Sequence, residues 1–508
     1  MRVQAQSLAL GFLAVQVLAF AVPVTVHSQS LKDDPGVIEA IDLLDRWIDA
    51  QRAYDQIPGL SVAIVHDQEL LWSAGFGYAD LESQRPATPA TMYSICSISK
   101  LFTSVSAMQL RDGGEFRLDD EVRGLLPWFQ LENAHPDGPP VTVEGLLTHS
   151  AGLPRESDHP YWSAPFDFPT HEEIVEGVQN QKTLYPAWQY YQYSNLGLTL
   201  VGEIVAEKSG QSYGDYVREH ILSPLGMEST TPEIGEVIGT DKLATGYSGI
   251  TREGRRKRVE PFEGRGIAAA AGYASTVEDL AKFASWQFRL LETGKHELLD
   301  ANTLREMQRV HYMDPGWQTS RGLGFGVSRR GDKTFVGHGG SCPGYRSNFQ
   351  LQMDDQIATI AMANAMINPS IFTRRAYEII APAVKAAKAK AEGSGAETNV
   401  TESEPDEGEH HGPKDESKVD FEPYVGIYDA YPWGGESHVI RWKGSLAIVS
   451  FPTSDPMGGM TKLKHVEGHT FRRIRKDESL GEEVTFEVDE EGRVVRVWNH
   501  GNYSEKIG

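Results

Sequence analysis

Two polar residues, three apart at the head of a segment with helical periodicity, constrain this chain more than any other feature. Residues 97–107 read Ser-Ile-Ser-Lys-Leu-Phe-Thr-Ser-Val-Ser-Ala, and Leu101, Phe102, Val105, Met108 and Leu110 recur at helical spacing. Ser97 and Lys100 are therefore expected on one helical face, where an amine can reach a hydroxyl. A serine hydroxyl attacks a carbonyl only with a nearby base and with donors aimed at the oxyanion that forms. The first turn of a helix supplies unpaired N–H groups and partial positive charge. Burial and neighbouring cations would bring the amine down from its ordinary value of about 10.4 and leave it free to act as the base. The same residues also fit a helix cap followed by a solvated lysine, so the remaining parts of a site have to be found elsewhere in the chain.

A chain of 508 residues exceeds one ordinary core, and two or more domains are expected. The net charge of −23 argues against a nucleic-acid surface and against polyanionic partners generally. Residues 1–28 combine Arg2, an apolar run from Leu8 to Val22 and small residues near Ser28, the pattern of a secretory signal peptide. Export to the periplasm or the medium is the expectation. The run is short for a membrane span, although retention as an uncleaved anchor stays open, and no later stretch approaches about 20 consecutive apolar residues.

Cys96 and Cys342 are the only cysteines, too few for a disulfide-scaffold fold. Cys96 directly precedes Ser97, and Cys342 closely follows a His-Gly-Gly motif. Pairing across the site is one outcome. Buried free thiols, packing as small hydrophobes, are the expected one.

From Asp34 an amphipathic helix is predicted with Ile38, Ile41, Leu44, Trp47 and Ile48 on its apolar face. Leu60 to Val65 and Leu70 to Tyr78 read as a β-hairpin, and the nucleophile helix then closes at Asp112-Gly113-Gly114. A helix followed by antiparallel strands points to an α+β fold. Within Val141 to Pro154, His149 and Ser150 have no supporting acid and read as a helix end. The aromatic stretch 155–192, with Tyr161, Trp162, Phe166, Phe168, Tyr185, Trp188, Tyr190 and Tyr191, fits a pocket wall and a satellite core equally well.

That stretch leads into Tyr193-Ser194-Asn195. A phenol near Lys100 would relay the Ser97 proton to a leaving group, and the Asn195 amide would hold both Lys100 and a substrate carbonyl. A buried tyrosine beside a turn is the plain alternative. Gly210-Gln211-Ser212-Tyr213-Gly214 matches a nucleophile elbow in letters only. That elbow needs a preceding strand, whereas Leu196 to Lys208 is helical in pattern, and Ser212 reads as a cap for Tyr213 to Leu222. A capping box of Ser275 with Glu278 is expected to open a helix through Leu280, Phe283 and Trp286.

Gly337-His338-Gly339-Gly340-Ser341 ends a β-like run, Thr334 to Val336, and its glycines let a ligand approach a strand backbone. The N–H groups of Ser341 and Ser97 would complete an oxyanion hole; a structural histidine in a glycine turn also fits. Asn348 to Met353 and Ile357 to Ala363 read as further strands. Between Ala391 and Asp420 stand ten acidic residues against two lysines, with almost no large apolar residue, so residues 386–420 read as an acidic disordered linker that includes His410 and His411. Residues 421–508 form a small antiparallel β domain, a closed barrel being one form of it. Its strands are expected at Tyr424 to Tyr428, His438 to Trp442, Leu446 to Phe451, Thr470 to Ile474, Val484 to Val488 and Val494 to Trp498, with a turn at Glu490-Glu491-Gly492.

The order Ser-Ile-Ser-Lys, Tyr-Ser-Asn, His-Gly-Gly-Ser is more specific than any one piece. Together with Leu146–Pro154, Pro224–Met227 and Ala271–Thr276 it resembles the serine beta-lactamase-related superfamily, in the branch of class C beta-lactamases, DD-peptidases, D-aminopeptidases and related esterases, over about residues 33–385. The resemblance implies an antiparallel sheet flanked by helices, with a site between the sheet and a helical region. It implies Ser97 as acylated nucleophile, Lys100 and Tyr193 as the acid/base pair, Asn195 as a lysine and substrate holder, and His338, Gly339, Gly340 and Ser341 as the third motif. It implies no metal or organic cofactor. Many penicillin-recognising members carry Lys-Thr-Gly at the third motif, and a histidine there is mostly neutral at pH 7. Hydrolysis of small esters, or of short amides and D-amino-acid peptides, is therefore expected ahead of beta-lactamase or DD-peptidase action. A non-catalytic cell-wall-ligand binding protein of the same fold is the alternative from another class.

Overall fold

The structure is a computed structural model that describes residues 31–157, 162, 165–251, 253–391, 419–429, 436–475, 478–499 and 502–508. The expected signal peptide, Tyr161, and the linker from 392 to 418 with its two histidines lie outside the described residues.

Asp34 caps the first helix, Pro35–Tyr54, by accepting from the N–H groups of Gly36 and Val37 at 2.8 and 3.2 Å. Its buried face is Val37, Ala40, Leu43, Leu44, Trp47 and Ile48. Ile38, expected on that face, is 51% exposed, because it lies one residue and so about 100° round from the 37-40-44-47 stripe. The hairpin follows as Gly59–His66 and Glu69–Asp80, turning at Asp67 in the left-handed region.

These strands join a nine-stranded antiparallel sheet. Its middle runs Glu69–Asp80, Gly59–His66, Ile357–Ala363, Tyr345–Gln352, Lys333–Cys342 and Gly326–Arg330. Every residue of Gly59–His66 is buried, and its alternate side chains serve two cores. Leu60, Val62 and Ile64 pack with the first helix and the Ser370–Ala391 helix, whereas Ala63 and Val65 pack with the helical region that carries the nucleophile. The Ser370–Ala391 helix runs six residues into the stretch expected to be linker, its buried Ala387 still packed against the sheet-side core. The long helix near the sheet is Val277–Thr293, and its cap is Thr276, which accepts from the Asp279 N–H at 3.1 Å. Ser275, the expected cap, pairs with Tyr93 in a two-stranded ladder instead.

Residues 426–505 form an eight-stranded antiparallel meander. It closes on itself through Ile427 N–H to the Gly508 carbonyl at 2.6 Å and Ile507 N–H to the Ile427 carbonyl at 2.8 Å. Two strands were not expected, Thr461–Glu467 and Asn502–Glu505. Thr461–Glu467 buries only Leu463, so it carries little apolar alternation to read. Tyr428, Phe471 and Phe486 fill the barrel. Ile440, Trp442, Val449 and Phe451 face outward onto the first helix, where Trp47 is fully buried, lies 5.5 Å from Phe372 and donates its indole N–H to the Thr453 carbonyl at 2.7 Å. No helix among the described residues is long and apolar enough to cross a membrane.

Trp47→Ala removes the side chain that joins both long helices to the barrel. It is expected to lower the unfolding free energy by about 3–5 kcal/mol in denaturant titrations, and Trp47→Phe by clearly less.

Candidate active site

Ser97 lies in a 3-10 turn, Cys96–Ile98, that feeds directly into the helix Ser99–Asp112. Cys96 holds a left-handed φ of 53°, a strained value for a residue with a Cβ. Its neighbours enforce it. Cys96 is bridged to Cys342 by a disulfide with 5.6 Å between Cα atoms, correcting the expectation of free thiols. Ser347 Oγ donates to the Ile95 carbonyl at 2.9 Å, and Ser99 Oγ donates to the Cys96 carbonyl at 2.5 Å. Gly340 explains the close approach of the strand: a Cβ there would stand 2.2 Å from the Ile95 carbonyl oxygen and 2.1 Å from Ser347 Oγ. The strand Lys333–Cys342 loses its Gly326–Arg330 neighbour after Gly337, so His338 to Cys342 form an edge beside Ser97.

Lys100, the second residue of the Ser99–Asp112 helix, is fully buried. Its Nζ lies 3.2 Å from Ser97 Oγ, 2.8 Å from Asn195 Oδ1 and 2.7 Å from the Ala270 carbonyl oxygen. Two of these partners only accept, and the third is a hydroxyl. A protonated amine fills the set with three donors, and an uncharged one fills it with N–H groups to Asn195 and Ala270 and a lone pair toward the Ser97 hydroxyl. Burial pulls the amine down to about 7, the Glu156 carboxylate works against this, and Arg155 and Arg321 add to it.

Tyr193 follows the short helix Val143–Thr148 in space. His149 ends that helix in a left-handed conformation and packs its ring 4.3 Å from that of Tyr193. His149 Nδ1 accepts from the Ser194 N–H at 3.2 Å, and burial keeps the imidazole well below its ordinary pKa. The histidine is thus a neutral spacer beneath the phenol. Burial, opposed by the neighbouring Ser97 hydroxyl, pushes the Tyr193 phenol up to about 12. It stays protonated at neutral pH.

Asn195, the first residue of the helix Asn195–Ser209, donates through Nδ2 to Glu156 Oε1 at 2.6 Å. A carboxylate only accepts, so this contact fixes which end of the amide faces Lys100. Asn195 thus contacts the lysine through its oxygen and gives one of its two amide N–H groups to Glu156. His338 sends Nδ1 to the Gly339 carbonyl at 2.6 Å, and its buried Nε2 has no partner among the described residues. Burial brings this imidazole down to about 3, so it contributes no positive charge.

An open pocket of about 380 Å³ gathers Ser97, Tyr193, His338, Gly339, Gly340 and Ser341. Lys100 and Asn195 do not line it and are buried behind Ser97. Arg155, Arg321 and Arg346 also line it, and none of them was singled out by motif. Arg155 stacks 4.9 Å over the Tyr193 ring and pairs with Glu156 at 3.2 Å. Arg321 stacks 4.8 Å over the Tyr191 ring. Among the described residues neither Arg321 nor Arg346 has a carboxylate partner. The aromatic stretch divides between its two readings. Trp162 and Phe168 pack into the core 4.9 Å apart, while Tyr191 and Tyr193 face the site. Ser212 is remote from it and caps its helix, accepting from the Asp215 N–H at 3.2 Å.

The arrangement sets a serine hydroxyl, a buried amine and a protonated phenol together. A family model described as Beta-lactamase matches residues 44–383. The chain is 30% identical to Beta-lactamase-like protein 2 of Dictyostelium discoideum over 360 residues, 69% of this chain and 64% of that protein. It is 27% identical to the D-aminopeptidase of Brucella abortus (strain S19) over 322 residues, 62% of this chain and 57% of that protein. The chain thus spans 57–64% of the length of these curated relatives. A solved D-amino acid amidase from Ochrobactrum anthropi SV3 is 26% identical with a TM-score of 0.56, over 70% of this chain and 99% of that one. The octameric penicillin-binding protein homologue from Pyrococcus abyssi shares the fold at 23% identity and a TM-score of 0.58, over 91% of this chain and 99% of that one.

Followed by NMR of lysine labelled at Cε, Lys100 is expected to titrate near pH 7. Glu156→Gln keeps an acceptor for Asn195 but removes the charge that holds the proton on, so the midpoint should fall further. A midpoint near the ordinary lysine value of about 10.4 would contradict the neutral amine.

Proposed function

The chain belongs to the beta-lactamase family, and from that premise we propose that it is an exported serine hydrolase that cleaves small amides or esters through an acyl-enzyme on Ser97. D-amino-acid amides and short D-peptides are the foremost substrate class. The observation that carries the reading is the buried Lys100 amine, 3.2 Å from Ser97 Oγ, with its other two contacts made to pure acceptors. Support for amide substrates comes from the D-aminopeptidase and D-amino acid amidase relatives.

The steps balance in protons. Ser97 Oγ attacks the substrate carbonyl and its proton passes to the Lys100 amine, while the oxyanion is met by the N–H groups of Ser97 and Ser341. As the tetrahedral intermediate collapses, the Tyr193 phenol protonates the departing nitrogen or oxygen and is recharged from Lys100. Water then attacks the acyl-enzyme, giving its proton to the same pair, and the acid product leaves with Ser97 restored. The lowered amine and the raised phenol are matched to this division of labour.

One observation favours a second reading. His338 brings no charge, yet Arg321 and Arg346 line the pocket without carboxylate partners, which suits substrates carrying an anionic group, including beta-lactams and peptides with a free carboxylate. Against a non-catalytic binding role stands the complete set of Ser97, Lys100 and Tyr193.

A fluorophosphonate probe is expected to label the wild type and not Ser97→Ala; labelling that survives the substitution would refute the assignment. With D-phenylalanine amide, p-nitrophenyl acetate and nitrocefin as substrates, Lys100→Ala and Tyr193→Phe should each lower kcat by about 100-fold or more. Arg346→Ala should raise KM for nitrocefin, which carries a carboxylate, and leave the KM for D-phenylalanine amide nearly unchanged. Absence of turnover and of a burst with all three would instead support the binding protein.

A further inference from the structure

The disulfide stands in a particular relation to the nucleophile. Cys96 immediately precedes Ser97 and Cys342 immediately follows Ser341, so one bridge joins the neighbours of the two residues whose N–H groups meet the oxyanion. The two donors come from different elements. Ser97 sits in the turn that opens the Ser99–Asp112 helix, and Ser341 sits near the end of the strand Lys333–Cys342.

Register places the Ser341 N–H on the open side of that strand. Cys342 and Tyr345 close a two-residue turn and so form a hydrogen-bonded pair, and Gly340 with Ser347 forms the next one. Ser341 lies between them, opposite Arg346, where an antiparallel ladder turns the N–H away from the partner strand. It points to the edge left bare where Gly326–Arg330 stops pairing at Gly337. A strand end paired on one side only, beside a turn, is among the least restrained parts of a sheet. Yet the donor there has to keep its place relative to a second donor on another element, and a misplacement of about 1 Å can cost about 100-fold in rate.

The Ser347 Oγ bond to the Ile95 carbonyl, at 2.9 Å, ties the nucleophile turn to the neighbouring strand Tyr345–Gln352. The disulfide ties it to the donor's own strand. Cys96 and Cys342 are 0% and 2% exposed, and Ser94 Oγ lies 3.5 and 3.7 Å from their sulfurs. Burial shields the bridge from reductants in solvent and makes it a permanent tie.

We propose that Cys96 and Cys342 are positioning residues for the hydrolysis, their bridge yoking the Ser97 and Ser341 N–H groups at the separation that one oxyanion needs. The proposal rests on the serine hydrolase reading above. Without the bridge the nucleophile and its base remain, and the oxyanion is met poorly.

The test compares the wild type with two unbridged proteins, using p-nitrophenyl acetate turnover and the affinity for phenylboronic acid, whose adduct on a serine hydroxyl is tetrahedral. Cys96→Ala/Cys342→Val restores part of the lost sulfur volume, and Cys96→Gly/Cys342→Val also relieves the left-handed φ of 53° at position 96. In both, kcat/KM for the ester and the affinity for the boronic acid are expected to fall together by about 100-fold. The Lys100 midpoint in labelled protein should stay at about 7, which places the loss in the donors and not in the base. An ester kcat/KM within about threefold of wild type in either variant, a Lys100 midpoint that moves with the rate, or failure of both variants to fold would each overturn the proposal. Wild-type turnover no faster than that of Ser97→Ala would instead sink the hydrolase reading.

Discussion

The dehydrated amine of Lys100 is the interaction on which the rest of this structure depends. A fully buried ammonium is costly unless each of its donors and its charge are met. Here the surroundings offer two acceptors, a hydroxyl, one nearby carboxylate on Glu156 and two opposing arginines. Burial brings the amine down to about 7, so that above this pH the uncharged form faces the serine hydroxyl. Tyr193 is governed by the same burial with the opposite consequence, since burying a phenol holds its proton on. One physical effect thus lowers an amine and raises a phenol beside one hydroxyl.

Much of the chain serves to bring that environment together. The turn at Ser97 is strained at Cys96, and it is held by the bridge to Cys342, by Ser347 from the adjacent strand and by the close packing that Gly340 permits. Lys100 is walled by the Ala268–Ala271 helix, and the Asn195 amide is oriented by Glu156. Below the sheet, Thr373 of the Ser370–Ala391 helix donates to Asn348 Oδ1 at 2.6 Å, and Asn348 lines the pocket. Phe372, next to Thr373, packs on Trp47, which the barrel holds through Thr453. A chain of direct contacts therefore runs from the C-terminal barrel to the floor of the site.

What could be read from the letters was whatever short-range chemistry makes distinctive. Ser97 with Lys100, Tyr193 with Asn195, and His338 through Ser341 are local patterns, and the structure brings all of them to one place. Arg155, Glu156, Arg321 and Arg346 escaped because single charged residues are common in any surface loop or strand, and only the fold says that these four converge. Arg346 had a faint mark in its place on the strand after His-Gly-Gly, directly across from Ser341 in the ladder. The shift of a cap from Ser275 to Thr276 has a simpler cause: two adjacent hydroxyls both satisfy the pattern, and pairing with Tyr93 takes the first into a ladder. The cysteine pairing ran against expectation because it depends on a closeness, 5.6 Å between Cα atoms, that a sequence separation of 246 conceals.

The most direct test of the central claim is the pH dependence of Ser97 acylation by a fluorophosphonate, measured as a second-order rate constant between pH 5 and 9 in the wild type and in Lys100→Met. If the uncharged amine activates the serine, the wild-type rate falls tenfold per pH unit below about 7, where Lys100 takes up its proton, and the limb disappears together with most of the rate in the variant. A rate that is flat across this range, or a limb that survives in Lys100→Met, would contradict the account.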